Sequence, residues 1–254
     1  MSEVKTFDIL VAGGGMIGSA LALGLSRQGW QVALVEGSDH ETLVRAPEPA
    51  ATVADFEPRV SAISVASQRL LEQLGVWSEV NAGRHCPYQT MTVWDGDGTG
   101  RIRFEAAELQ ARALGTIVEN RSIVRALFRA LEQSPVELIE GARITGCRRS
   151  SGSYALELED GRSLSAGLVV GCDGANSRLR QWVGLPTREW DYDQQAIVCT
   201  VQTSQSHCFT AWQRFSMTGP LAFLPLLPES GSEHFCSIVW SQDTDEARRL
   251  MALE

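Results

Sequence analysis

Lysine is almost missing from this chain of 254 residues: Lys5 is the one lysine, so 21 of the 22 basic residues are arginine. Acidic residues number 31, giving a formal net charge of -9. With the arginines scattered, no basic stripe offsets phosphate repulsion, which argues against nucleic acid as a partner. No apolar run approaches the ~20 residues that a membrane-crossing helix needs, although peripheral membrane contact stays open. The six cysteines (Cys86, Cys147, Cys172, Cys199, Cys208, Cys236) form no C-x-x-C pair and no Cys/His spacing. Neither a metal site nor a disulfide framework is therefore expected, and several of these thiols sit in strand-like runs suited to a reduced, cytoplasmic core. The polar N-terminus enters a strand almost at once and leaves no room for a secretory leader. Internal repeats and low-complexity tracts are missing too. A hydrophobic fraction of 44% with 21% charge is that of an ordinary globular protein, long enough for one large or two small domains.

What the chain does have is concentrated between Phe7 and Glu36, FDILVAGGGMIGSALALGLSRQGWQVALVE. Phe7 to Ala12 reads as a buried strand. Gly13, Gly15 and Gly18 then fit G-x-G-x-x-G, and Ala20 to Leu25 carry an apolar helix that stops near Gly29. Gln31 to Val35 gives a second buried strand with Glu36 at its tip. Gly13 permits a tight turn, Gly15 has no Cβ to hold a pyrophosphate away, and Gly18 lets the helix approach the strands. The N–H groups of the first helical turn, at Met16 and Ile17, offer hydrogen bonds and a partial positive charge to phosphate. Glu36 accepts from both ribose hydroxyls and disfavours a 2′-phosphate. Alone, G-x-G-x-x-G is a weak signal; in this strand–turn–helix–strand–acid context it points to an adenine dinucleotide.

The rest of the chain reads as further alternation. Gly37 to Pro58 is polar, with three prolines, and is expected to be a long, mobile connection; Arg59 follows it. A helix is predicted over Val65 to Leu74 with Leu70, Leu71 and Leu74 inward. Met91 to Trp94 and Arg101 to Phe104 flank a D-G-D-G turn as a β-hairpin. Thr116 to Glu119 is a strand, and Asn120 an N-cap for the helix bearing Ile123, Val124, Leu127, Phe128 and Leu131. Strands are predicted at Glu137 to Ile139, Ala142 to Arg148, Tyr154 to Glu159 and Leu168 to Gly171. Beyond Pro186 longer strands take over, at Ala196 to Gln202, His207 to Phe215, Leu221 to Leu226 and Phe235 to Trp240. This change in pattern marks a second, sheet-based domain.

Leu168 to Arg180, LVVGCDGANSRLR, repeats the strand–turn–helix logic, delivering Asp173 and Gly174 to a turn that Asn176 or Ser177 caps. An Asp-Gly pair is usually only a turn. Following the first motif at this distance, the x-D-G-x-x-S-x-x-R pattern resembles the class A FAD-dependent aromatic hydroxylases. The segments GGGMIGSALALGL, RVSAISVASQRLLEQLGVW, HCPYQTMTVWD, GTIVENRSIVRALF, DGANSRLRQWVGL and GPLAFLPL are similar to the ubiquinone-biosynthesis hydroxylases within that group. The likeness runs over essentially the whole chain. Arg84 to Tyr88 and the ELQARALGTIVEN stretch resemble most the members that act on a 3-demethyl or demethoxy intermediate.

The resemblance implies an α/β fold with a Rossmann-like, para-hydroxybenzoate-hydroxylase-like FAD-binding domain (1–84 and 115–186) and a β-sheet substrate domain (85–114 and 187–254). It implies an FAD-dependent monooxygenase that uses reduced flavin and O2, with NAD(P)H as electron donor, to hydroxylate a polyprenylated phenol or quinol. Residue by residue it assigns Gly13, Gly15, Met16, Ile17 and Gly18 to the pyrophosphate, Glu36 to the ribose, and Asp173 and Gly174 to the second fingerprint. Arg59 and Asn120 are placed toward the flavin nucleotide, where a solvated arginine and a plain N-cap explain them equally well. Arg178 and Arg180 are helix-surface or phosphate-facing. No catalytic residue is assigned. His85 and His207 are candidate ring-deprotonating bases, each more simply read as a strand histidine. The Trp212, Phe215, Leu221, Phe223 and Leu224 alternation is read mainly as core, with one face available to a lipophilic substrate cavity.

The family's third fingerprint, Gly-Asp followed by Ala-Ala-His, does not occur here, and the chain ends at Glu254 inside a predicted helix (Asp243 to Leu253). A truncated form supplying mainly the nucleotide side of the flavin site is the expectation. Two rivals remain. An NAD(P)-dependent oxidoreductase shares the first motif, although no Tyr-x-x-x-Lys pattern accompanies it. The other is a non-catalytic remnant scaffolding a quinone-biosynthesis complex.

Overall fold

The computed structural model describes residues 5–150 and 152–253. Met1–Val4 and Glu254, the outer ends of the two expected domains, and Ser151 lie outside the described residues. In chain order the elements begin with β1 (Lys5–Ala12), α1 (Met16–Arg27), β2 (Val32–Val35), α2 (His40–Val44), β3 (Val60–Ser64), α3 (Val65–Gln73) and α4 (Trp77–Ala82). Then come β4 (His85–Tyr88), β5 (Thr90–Asp95), β6 (Arg101–Glu105), β7 (Gly115–Glu119), α5 (Asn120–Glu132), β8 (Glu137–Ile139), β9 (Ile144–Ser150), β10 (Ser153–Leu158) and β11 (Ser163–Gly171). The series closes with α6 (Arg178–Trp182), β12 (Gln194–Gln202), β13 (Thr210–Phe215), β14 (Leu221–Leu226), β15 (Phe235–Asp243) and α7 (Thr244–Met251).

By its contacts the chain divides into two units. The first comprises Met1–Ala46, Leu71–Trp77 and Ile123–Arg188, the second Pro47–Leu70, Ser78–Ser122 and Glu189–Glu254. These borders differ from those drawn on sequence, because 47–70, 78–84 and 115–122 fall in the second unit. The cause is a three-stranded antiparallel ladder, β3-β7-β4, which ties those segments to one another.

The first unit is built on a six-stranded sheet of order β8-β2-β1-β11-β10-β9. Its parallel part is β8-β2-β1-β11, in which the apolar runs Ile9–Ala12 of β1 and Val32–Val35 of β2 are buried on both faces. Leu10, Val11, Ala12, Val32, Ala33, Leu34 and Val35 are all buried. An antiparallel meander, β9-β10-β11, completes the sheet. β11 begins at Ser163, five residues before the predicted start, because Leu164 and Ala166 also face the core. The β1–α1–β2 crossover places the glycine turn and Glu36 at the same, C-terminal, edge of the parallel strands, where open α/β sheets bind ligands.

The second unit carries a six-stranded sheet of order β12-β15-β14-β13-β5-β6 beside the small ladder. The β5–β6 hairpin forms as predicted. β13 starts at Thr210 instead of His207, because Cys208 and Phe209 both take φ of 49°, outside any strand conformation. Leu70 is 51% exposed, unlike the buried Leu71 and Leu74; a helix turns about 100° per residue and does not bury adjacent positions equally. The cysteines split: Cys86 and Cys236 are buried, their thiols pushed up by burial to about 12 and about 11, whereas Cys199 and Cys208 are exposed.

The polar 47–58 segment, expected to be mobile, is fastened by one buried cation. Arg84 is 5% exposed and its guanidinium meets both carboxylate oxygens of buried Glu119 at 3.0 and 2.9 Å. It also donates to the carbonyls of Glu48 (2.6 Å) and Asp55 (3.2 Å) and lies 5.3 Å from the Phe56 ring centroid. Four of its partners thus come from β7 and from the connection itself. Arg84→Met is expected to destabilise the protein by about 3 kcal/mol, since it leaves buried Glu119 with only the longer contact to Arg121 Nε, 3.6 Å away. Arg84→Met with Glu119→Leu should recover much of that loss. Urea unfolding of the three proteins checks it, and equal stabilities for single and double variants would contradict it.

Candidate functional site

The three motif glycines do different physical work. Gly13 sits at φ +100°, and a Cβ there would overlap the Cys172 carbonyl oxygen of the strand next to β1. A Cβ on Gly18 would overlap the Gly13 carbonyl oxygen, so this position sets how closely α1 approaches the turn. Gly15 is the opposite case: a Cβ there meets nothing within 4 Å. Open space therefore lies in front of the one glycine that the motif reserves for a ligand. Gly15 is also the N-cap of α1, with φ -64° and no side-chain cap. Ile17, in the first turn, is 74% exposed. The sequence reading overlooked Gly14, whose Cβ would crowd Phe128 Cζ at 2.8 Å and Glu36 Cβ at 2.9 Å.

Glu36 is held by the backbone. Its Oε2 accepts from Gly14 N (2.6 Å) and its Oε1 from Ser38 N (2.8 Å). A carboxylate has about four lone-pair sites, so acceptor capacity for two hydroxyls remains. Asp173, which follows β11, is fixed in the same way: its Oδ2 accepts from Arg178 N (2.8 Å) and Leu179 N (3.2 Å). Ser177 caps α6, its Oγ accepting from Arg180 N at 3.0 Å. Asp173 Oδ1 is buried and lacks a hydrogen-bond partner. Gly174 takes φ +86°, which explains glycine after the aspartate. Burial, and then the neighbouring Asp173 charge, push the Cys172 thiol up.

Some of these groups border a pocket of about 420 Å³. Gly13, Glu36 and Ser38 line it, together with Arg143, Asp173, Asn176, Arg178 and Trp182. Gly174 and Arg180 line a second pocket, of about 600 Å³, which shares Asp173. Arg180 donates to the Ala175 carbonyl at 2.8 Å and so braces the fingerprint loop, whereas Arg178 faces the first pocket. Arg143, Asn176 and Trp182 were missed on sequence. The signal was present for Trp182, four residues after Arg178 on the same short helix.

Arg59 and Asn120 belong to the second unit. Asn120 N donates to the Arg59 carbonyl (3.0 Å), and Asn120 Oδ1 accepts from Ser61 Oγ (2.7 Å). Asn120 occupies the first position of α5 instead of the cap before it. Arg59 is exposed. His207 is 3% exposed with both ring nitrogens engaged: Nδ1 accepts from Phe209 N (3.0 Å) and Nε2 donates to the Leu226 carbonyl (3.1 Å). It secures the left-handed turn before β13 and is no free base. His85 is half-buried, with Nδ1 3.0 Å from the Gly83 carbonyl. Trp212 faces Phe223 across the ladder and meets Trp94 edge-on at 6.3 Å, beside a pocket of about 310 Å³. Leu224 packs instead with the Phe56–Phe235 core.

Residues 6–252 match the family described as FAD binding domain. The chain belongs to that family. It is 39% identical over 246 residues to the 3-demethoxyubiquinol 3-hydroxylase of Escherichia coli (strain K12), a match covering 96% of this chain and 59% of that one. It is 36% identical over 253 residues to the ubiquinone hydroxylase UbiL of Rhodospirillum rubrum, covering 99% of this chain and 56% of the other. The chain therefore spans little more than half the length of these relatives. Among solved structures it is similar to P. aeruginosa PqsL in complex with 2-aminobenzoylacetate, with a TM-score of 0.78 and 25% identity over 98% of this chain and 64% of that one. The fold is the α/β fold of FAD-dependent monooxygenases, a Rossmann-like part with a second β-sheet part.

Two outcomes follow from the geometry. Gly15→Val should leave stability within about 1 kcal/mol of the parent, the scale of an N-cap change. Gly18→Ala should cost about 3 kcal/mol or more through backbone overlap. Denaturant midpoints that rank the two the other way would contradict the assigned roles.

His207 gives a pH signature. Burial lowers its pKa below the unfolded value near 6.5. The unfolded chain then binds the proton first, so this contribution is complete above pH 6.5 and declines as pH falls toward the folded value. His40, raised by its hydrogen bond to Glu140, acts in the opposite sense. Comparing parent with His207→Gln cancels that effect. The stability difference between them should shrink as pH drops from 7 to 5, and a pH-independent difference would contradict it.

Proposed function

We propose that this chain serves an FAD-dependent monooxygenase that hydroxylates the ring of a polyprenylated phenol or quinol in ubiquinone biosynthesis, with NAD(P)H as electron donor. One observation carries the reading. Gly13 of the glycine turn, Glu36 at the tip of the next strand and Asp173 line a single pocket, and space is open at Gly15, in a chain 39% identical to a protein named for this chemistry.

The residues present fit the nucleotide half of FAD. Gly13, Gly15 and Gly18 shape the turn, and the first-turn N–H groups of Met16 and Ile17 receive the pyrophosphate. Glu36 binds the ribose hydroxyls with the lone pairs that Gly14 N and Ser38 N leave free. Asp173 and Gly174 hold the second turn, and Arg59 and Asn120 are further candidates for the flavin nucleotide. When bound, the flavin supplies the electron transfer and oxygen activation; no side chain described here is assigned to the hydroxylation step itself. The substrate class follows the names of the relatives, with a demethoxy-type quinol preferred. Peripheral contact with the inner face of a membrane, or with other quinone-biosynthesis proteins, suits so lipophilic a substrate. No helix among the described residues is long and apolar enough to cross a membrane.

Titration of the purified chain with FAD, followed by flavin fluorescence and calorimetry, tests the reading. FAD should bind, Gly15→Val should abolish binding while the fold is retained, and Glu36→Ala should weaken it about ten- to a hundredfold, the worth of charged hydrogen bonds. Failure of FAD to bind alongside tight binding of NADH would move the chain to the dehydrogenase reading.

A further inference from the structure

We propose that Trp182 is the aromatic wall against which the purine ring of a bound adenine nucleotide stacks. The inference rests on the nucleotide reading above and deepens it. Gly13, Glu36 and Ser38 bring the polar groups suited to phosphate and ribose to the 420 Å³ pocket. Val35, Ala142, Ile144, Leu179 and Trp182 supply its apolar part, beside the further polar groups Arg143, Asp173, Asn176 and Arg178. Trp182 is the one aromatic side chain lining this pocket among the described residues. Its indole is only half-buried, packing in part against the Leu10–Leu156 core and leaving the rest toward the pocket. The uncovered part of the indole borders the pocket, and a purine-sized ring stacked on it would complete its burial.

The placement of Trp182 follows from the second fingerprint. Asp173 Oδ2 receives two N–H groups at the start of α6 and Ser177 receives a third. These bonds fix the direction of a helix of five residues that would not hold by itself. Arg178 and Trp182, four residues apart, consequently share the face that lines the pocket. On this reading Asp173 is a positioning residue for the base as well as part of the second turn. The ligand class is any nucleotide carrying adenine; FMN, which has a phosphate and a flavin but no purine, is the control.

The test uses the purified 254-residue chain titrated with ADP, FAD and FMN, following tryptophan fluorescence and calorimetric affinity. ADP and FAD should quench part of the parent emission. Trp182→Phe should keep ADP affinity within about threefold while losing that quenching, because a smaller ring still stacks. Trp182→Leu should bind ADP about tenfold or more weakly, the effect of removing an aromatic platform from under a base, with its thermal unfolding unchanged. FMN binding should not distinguish parent from either variant. Unaltered ADP affinity in Trp182→Leu would overturn the proposal while leaving the FAD reading intact. ADP binding that depends on Trp182, but no gain from the flavin half of FAD, would uphold the wall and count against the hydroxylase. Binding of neither nucleotide would overturn both.

Discussion

The approach of α1 to the turn after β1 is the constraint on which the rest of the proposed nucleotide site depends. Only hydrogen at position 18 lets the first helical turn lie against the Gly13 carbonyl, and only glycine at 13 lets that turn pass the Cys172 carbonyl. Once both approaches are made, the N-terminal end of α1 opens at Gly15 onto free space. Gly14, pressed between Phe128 and the Glu36 side chain, then offers its N–H to the Glu36 carboxylate. Phosphate turn and acid are in this way one rigid piece, built by backbone contacts before any ligand arrives.

The Asp173 turn extends the same economy across the sheet. β11 pairs in parallel with β1, so Cys172 lies beside the glycine turn and Asp173 begins where that strand ends. Its carboxylate is spent on the backbone of α6, and the helix thus oriented turns Arg178 and Trp182 toward the pocket that Glu36 borders. Neither acid stands free in the structure: each is a scaffold for backbone N–H groups first. In the second unit Arg84 does comparable work with opposite charge, gathering carbonyls and the carboxylates of Glu119 and Glu229 around a buried cation. The connection that precedes Arg59 is thereby ordered even though its composition is that of a loop.

Much of this was legible in the chain because the signals were local. Strand–glycine–helix–strand patterns, the D-G-D-G hairpin and the Asp173-Gly174 turn depend on nearest neighbours, and they appear where periodicity placed them. What escaped the sequence was set by distant partners. The 47–58 segment looks mobile until Arg84 and Glu119 are brought to it by strand pairing. His207 to Phe209 reads as strand until the His207 ring is seen holding the turn between Leu226 and Phe209. Trp182 was not singled out, because which face of α6 meets the pocket is decided by Asp173 and not by hydrophobic spacing. The contact-based units differ from the borders expected on sequence for a like reason: the β3-β7-β4 ladder joins segments that lie far apart in the chain.

The central claim is that the glycine turn, Glu36 and the Asp173 turn form one prebuilt cradle for the adenosine diphosphate half of FAD. A crystal structure of this chain grown with FAD tests it most directly. The account predicts the pyrophosphate over Gly15, within hydrogen-bonding reach of the Met16 and Ile17 N–H groups, the ribose on Glu36, and the turn unmoved from its present conformation. A pyrophosphate bound elsewhere on the chain, or a turn that has to rebuild to receive it, would contradict it.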